Sequence, residues 1–210
     1  MEAMTSSLHR VLGAAAAVLL LAGCSAPAAT PGADGGASGS ASGSSPATAA
    51  AGPGDSLLAD YGLEDRGTEE VVEALDATHE DRERGLAASV TPEEVVLADG
   101  ERQETLPVPE GRFYLAVAPF ETTTHECFHH SLAGCQGELV DTPVHVSVTA
   151  ADGEVLVDEE RTTYANGFVG LWLPAGIEGT ITVEARGKSA TADIATGAGD
   201  PTCLTTLQLT

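Results

Sequence analysis

Val144-His145-Val146-Ser147-Val148-Thr149 alternates strictly between apolar and polar side chains. In an extended chain successive side chains point to opposite faces, so Val144, Val146 and Val148 line one side while His145, Ser147 and Thr149 line the other. That is the pattern of a strand half-buried in a sheet, with His145 on the solvent side. Working outward, Asp152-Gly153 and Asn166-Gly167 read as tight turns, and a further strand is expected at 155–158. Strands are also expected at 113–118, 180–185 and 204–209, while helical periodicity largely disappears. Many short strands at this spacing predict a mainly antiparallel sandwich or partial barrel over residues 113–210. Trp172, within the apolar run from Phe168 to Leu173, reads as core packing.

Upstream, residues 55–112 read as a small α+β unit. Ser56-Leu57-Leu58-Ala59-Asp60-Tyr61 suits a short helix. Thr68 reads as the N-cap of a second, with Glu69 and Glu70 in its first turn. Val71, Val72 and Leu75 fall on one helical face. Short strands are expected at 86–90 and 95–98, a turn at Asp99-Gly100, and a returning segment at Leu106-Pro107-Val108-Pro109. His79, among Glu80, Asp81 and Arg82, reads as a surface residue. The fold class expected is therefore α+β, a small helical or α+β region followed by a β-sandwich-like domain.

The first 23 residues read as an export signal. A polar start containing His9 and Arg10 precedes an apolar run over 11–22, too short for a bilayer span of about 20 residues. It ends in Leu21-Ala22-Gly23-Cys24, which resembles the processing site of bacterial lipoproteins and implies diacylglycerol on the Cys24 sulfur. Two or more acyl chains give lasting membrane attachment. Residues 25–54 are almost wholly Ala, Gly, Ser, Thr and Pro, with Asp34 as the only charge. Such a composition cannot offset the entropy of ordering. A flexible tether of this length reaches on the order of 30 Å. The expected location is the extracytoplasmic face of the membrane.

Net charge excludes one large class of function. With 32 acidic and 9 basic residues the formal charge is −23, and no patch able to neutralise phosphates can be assembled, so nucleic acid is not a partner. A negative field concentrates cations and also keeps the protein soluble. Hydrolase signatures are absent as well: there is no Gly-x-Ser-x-Gly elbow, phosphate loop or His-Glu-x-x-His motif.

The chemistry concentrates in cysteine. If Cys24 carries lipid, Cys127, Cys135 and Cys203 remain in a compartment where disulfides form, and an odd count leaves one thiol to explain. His125, Cys127, His129, His130 and Cys135 lie within 11 residues. Soft thiolates prefer Cu(I) and Zn(II), and imidazole also suits Cu(II). Three thiolates suit trigonal Cu(I), whereas adding a histidine gives the four ligands of structural zinc. Extended backbone would set His129 beside Cys127, and a helical turn would set His130 there, so one of the two is expected to reach the thiols. The contrary reading is a Cys127–Cys135 disulfide stapling a loop in a structural envelope lipoprotein, with Cys203 buried as a small apolar residue. A reversible disulfide whose reduced form captures metal lies between them. Met1 and Met4 both leave with the signal, so thioether ligands are unavailable.

The segments from His125 to Leu139, Asn166 to Pro174 and Pro201 to Thr206 resemble the signature segments of CueP-type periplasmic copper-binding proteins, over about residues 57–209. The resemblance implies copper as the metal, with Cys127, Cys135 and Cys203 as ligands in a β-rich domain. It also implies a small N-terminal region able to mediate homodimers. It further implies copper tolerance, reduction of Cu(II) by the thiols, and delivery to an extracytoplasmic superoxide dismutase. The lipoprotein signal departs from a freely diffusing carrier and suggests a membrane-held scavenger.

Overall fold

The valine alternation does form a strand, buried on one side, at the centre of a four-stranded sheet. The computed structural model describes residues 56–78 and 80–210, all within one compact unit. The expectations for the leader, Cys24, the tether and His79 lie outside the described residues.

Three short helices come first: α1 (Leu57–Asp60), α2 (Thr68–Asp76) and α3 (Glu80–Glu83). Helix α2 begins one residue earlier than expected, at the residue anticipated as its cap. Gly67 is the N-cap and Thr68 is already helical, while the Glu70 carboxylate reaches back to accept the Gly67 N–H at 3.0 Å. Val71, Val72 and Leu75 are buried as their spacing requires, and Asp76 is buried beside them.

Eleven strands follow among the described residues: β1 (Ala87–Val90), β2 (Glu94–Asp99), β3 (Arg102–Pro107), β4 (Arg112–Val117), β5 (His130–Ser131), β6 (Pro143–Ala150), β7 (Val155–Thr162), β8 (Val169–Pro174), β9 (Glu178–Ala185), β10 (Lys188–Ala195) and β11 (Cys203–Leu204). They form sheets of order β3-β2-β1-β5, β10-β9-β6-β7 and β11-β4-β8. Pairing is antiparallel except for β11 beside β4 and the bridge between Phe120 and Gln208. The expected strand at 204–209 is thus broken after Leu204. The chain continues irregularly so that Leu207 and Leu209 both turn into the core.

Strand β4 explains how the layers fit together. It lies between β11 and β8, and both of its faces are covered. Phe113, Leu115 and Val117 point into one apolar cluster with Val144, Val146 and Val148 of β6 and Ile181 and Val183 of β9. Tyr114 and Ala116 point the other way, into a second cluster with Leu57, Val71, Val72 and Leu75 of the helices and Val90, Val95 and Leu97 of the first sheet. The helical segment and the β-rich part therefore share one core. Trp172, opposite Tyr114 on β8, packs against this cluster with ring centroids 4.9 Å apart. His145 pairs with Asp158 across strands at 3.1 Å on the outer face of β6.

The Asn166-Gly167 turn has a stronger constraint than tightness. Gly167 has φ +80°, and a Cβ there would lie 2.6 Å from the carbonyl oxygen of Gly137. The Gly137 N–H in turn donates to the Asn166 carbonyl at 2.7 Å. Two bare backbones touch here, which pins the turn before β8 to the segment following Cys135.

Candidate metal centre

Between β4 and β6 the chain makes a long irregular excursion carrying Cys127, His130 and Cys135. Its entry is fixed by one carboxylate. Glu138 accepts hydrogen bonds from the N–H groups of Glu121, Thr122 and Thr123 at 2.7, 2.9 and 3.3 Å, and from the Thr122 hydroxyl. These bonds, led by that of the hydroxyl, favour the anion and hold the carboxyl at about 2. A carboxyl depressed below its unfolded value of about 4.3 contributes its full stability above that value. The contribution is lost as pH falls toward 2. Glu138→Gln is therefore expected to flatten the acid limb of the unfolding curve between these limits, and a carbon-detected NMR titration of the carboxyl locates the transition directly. An unshifted titration near the ordinary glutamate value would contradict this role.

Thr202 stitches the excursion to β11. Its hydroxyl accepts the His130 N–H at 2.9 Å and donates to the Val90 carbonyl at 2.7 Å. Its own N–H donates to the Phe128 carbonyl at 3.0 Å. Residue 203 is thereby carried alongside residues 127–130. After Ser131 the chain coils, the Cys135 N–H donating to the Ser131 carbonyl at 2.9 Å, and this turn returns the third sulfur to the first.

The result is one compact group of donors. Cys127 Sγ, Cys135 Sγ, Cys203 Sγ and a ring nitrogen of His130 all lie within 4.8 Å of one another. Cys127 and Cys135 are 3.5 Å apart as free thiols, and Cys203 Sγ is 3.5 Å from His130 Nδ1. Cys203 and His130 are buried, whereas Cys127 and Cys135 are partly exposed, so the group opens to solvent on one side. His129 does not join it. Its side chain is exposed and lies against the Phe128 ring, centroids 4.9 Å apart. Of the two adjacent histidines, the fold selects His130 because β5 begins there and turns that side chain inward against β1.

His130 is held from behind. Its Nε2 is 2.7 Å from Asp76 Oδ1. The same oxygen accepts Asn166 Nδ2 at 2.6 Å, and Asp76 Oδ2 accepts the Tyr114 hydroxyl at 2.6 Å. Asn166 is fixed in turn by accepting the Phe168 N–H at 2.9 Å, and the Phe168 ring lies 4.5 Å from that of His130. A carboxylate only accepts, so Nε2 carries a proton and Nδ1 faces the sulfurs. Burial alone would pull the ring's pKa down. The bond and charge of Asp76, then the bonds to Cys127 and Cys135, outweigh burial and hold it well above the usual histidine value.

Their surroundings act on two of the thiols in opposite directions. Hydrogen bonds from Cys127 and then Cys203 push Cys135 far below an ordinary thiol, with His130 and His125 helping. Bonds to Cys127 and Cys135, then burial and electrostatic interaction with those two neighbours, push Cys203 above it.

The sequence points to the three cysteines and leaves His129 and His130 as alternatives; Asp76, Tyr114, Asn166 and Thr202 are not evident from it. Asp76 left a signal. It stands one turn after Val72, so the buried face of α2 must contain a carboxylate. Such a group requires a buried partner.

The donor set suits a thiophilic ion, and the second-layer carboxylate is the usual companion of a ligating histidine. Fold and site together define a β-rich protein with a half-buried pocket of three thiols and one imidazole. Residues 70–208 match the family described as "Periplasmic copper-binding protein CueP", and the chain belongs to that family. A solved structure described as "Crystal Structure of S.CueP" is 44% identical, covering 76% of this chain and 99% of that one, with a TM-score of 0.72. No curated protein gives a match. Among the described residues no helix is long and apolar enough to cross a membrane.

Proposed function

We propose that the protein is an extracytoplasmic copper-binding lipoprotein, tethered through Cys24, which captures Cu(I) and buffers it or hands it on. Cys127, Cys135 and Cys203 supply three thiolates, and His130 Nδ1 supplies a fourth donor. The observation that carries this reading is the convergence of these four donor atoms within 4.8 Å, three of them sulfur. Membership of a copper-binding family favours copper over zinc for the same ligands. The Leu-Ala-Gly-Cys24 sequence supports the anchor. The receiving protein on this reading is an extracytoplasmic copper enzyme such as a superoxide dismutase. A chain tethered to the membrane meets it there, as a monomer or as a homodimer.

Anaerobically reduced protein, loaded with Cu(I) and desalted, is expected to retain one copper per chain. The variant carrying Cys127→Ser, Cys135→Ser and Cys203→Ser is expected to retain none. Equal retention by the two proteins would overturn the proposal.

The adjacent Cys127 and Cys135 also support reduction of Cu(II). Two Cu(II) ions become Cu(I) as the two thiols lose two electrons and two protons and form one S–S bond. Turnover then requires an external dithiol to restore the pair. Reduced protein that yields no Cu(I) on mixing with Cu(II) rules this step out.

A further inference from the structure

His125 stands outside the four-donor group, yet its position is unusual for a bystander. Its Nε2 is buried and has no hydrogen-bond partner among the described residues. Leaving such an atom unpaired is unfavourable, which points to a ligand it meets only part of the time. The ring lies edge-on to Phe168, centroids 6.2 Å apart, and Phe168 is the residue on which His130 also packs. His125 and His130 thus approach the same aromatic ring. Beside it is an open cavity of about 530 Å³ lined by Phe120, Thr124, His125, Cys127, Thr205 and Thr206. Glu126 also lines it and is exposed. Cys127 is the one residue that belongs to both this cavity and the donor group.

The cavity therefore gathers a carboxylate, an imidazole and a half-exposed thiol, and that thiol also belongs to the donor group with buried Cys203 and His130. Imidazole accepts copper in either oxidation state, whereas thiolate selects Cu(I). From this arrangement we infer that His125 is the transit ligand of the site, holding copper within the cavity while it passes to or from Cys127. The inference rests on the proposed copper function and adds a route to it. A transit ligand lowers the barrier in both directions and leaves the end state unchanged. His125 acts by positioning the ion in passage and is absent from the resting ligand set.

The test compares wild type with His125→Gln and His125→Ala, all reduced and anaerobic. Competition against bathocuproine disulfonate reads equilibrium Cu(I) affinity, and stopped-flow mixing with the same chelator reads removal. Both variants are expected to keep wild-type affinity and one copper per chain, while copper removal slows about tenfold, equivalent to about 1.4 kcal/mol in barrier height. Far-ultraviolet circular dichroism confirms the fold, and the glutamine variant retains the bulk of the ring if alanine collapses the cavity. Wild-type exchange rates in a folded variant would overturn the inference. So would a matching loss of affinity, which would make His125 a resident ligand. If wild-type protein itself retained no copper, the underlying function would fail instead, and the first arm of the experiment reports that separately.

Discussion

Asp76→Ala is expected to destabilise the protein by about 3–5 kcal/mol, the range for removing one member of a buried charged pair. The carboxylate accepts from His130 Nε2, Asn166 Nδ2 and the Tyr114 hydroxyl. All three donor residues are buried, and none has water to turn to. Urea unfolding of the metal-free protein measures the loss. The same substitution frees the His130 ring to rotate, and loss of such a second-layer partner typically costs about 10–100-fold in metal affinity. A pH signature separates this role from simple cavity formation. Because His130 titrates above its unfolded value of about 6.5, its pairing with Asp76 contributes fully below that pH. The contribution fades as pH rises through the folded-state value. Wild type should lose this stability on the alkaline side, and the alanine variant should have none to lose. A variant with a wild-type urea midpoint would show that Asp76 does not hold this network together.

Gly170→Ala is expected to cost about 3 kcal/mol, the upper end of overpacking effects. A Cβ at this position would lie 1.9 Å from the Tyr114 hydroxyl oxygen and 2.6 Å from Cζ. Tyr114 is fully buried and packed against Trp172, so the ring has little freedom to retreat. Its hydroxyl would be driven from Asp76, and one methyl group on β8 would disturb a histidine on β5. A double-mutant cycle with Tyr114→Phe makes the claim specific. Removing the hydroxyl removes the closest clash, so the alanine penalty should shrink in the phenylalanine background. Equal penalties in both backgrounds would show that Gly170 acts through something other than Tyr114.

Which parts of this molecule could be read in its sequence depends on how local each cause was. The β6 alternation was plain because one of its faces is buried and the other wet. Strand β10 carries no such signal. Its sequence, Lys188-Ser189-Ala190-Thr191-Ala192-Asp193-Ile194-Ala195, buries only Ile194 fully and otherwise presents small or polar side chains at a sheet edge. Strand β8 reads only as an apolar run, because it is buried along most of its length and so lacks alternation. The three cysteines declared themselves by being one too many for pairing. The choice of His130 over His129 could not be made locally, because the segment before β5 is neither helix nor strand and Thr202, 72 residues away, sets its path. The Asp76 network was hidden for the same reason, since its members come from α2, β4, β5 and the turn before β8.

The donor group spans two sheets. His130 begins β5, the edge strand beside β1, whereas Cys203 begins β11, the edge strand beside β4. An ion held by both acts as a rivet across that seam, so neither edge can peel away while the rivet is in place. Mass action then makes occupancy a mechanical property. At a free concentration one hundred times the dissociation constant, binding adds about 2.7 kcal/mol to the folded state. A brief pulse of protease would therefore cut empty chains first, counting the filled ones with no need for a coloured reporter.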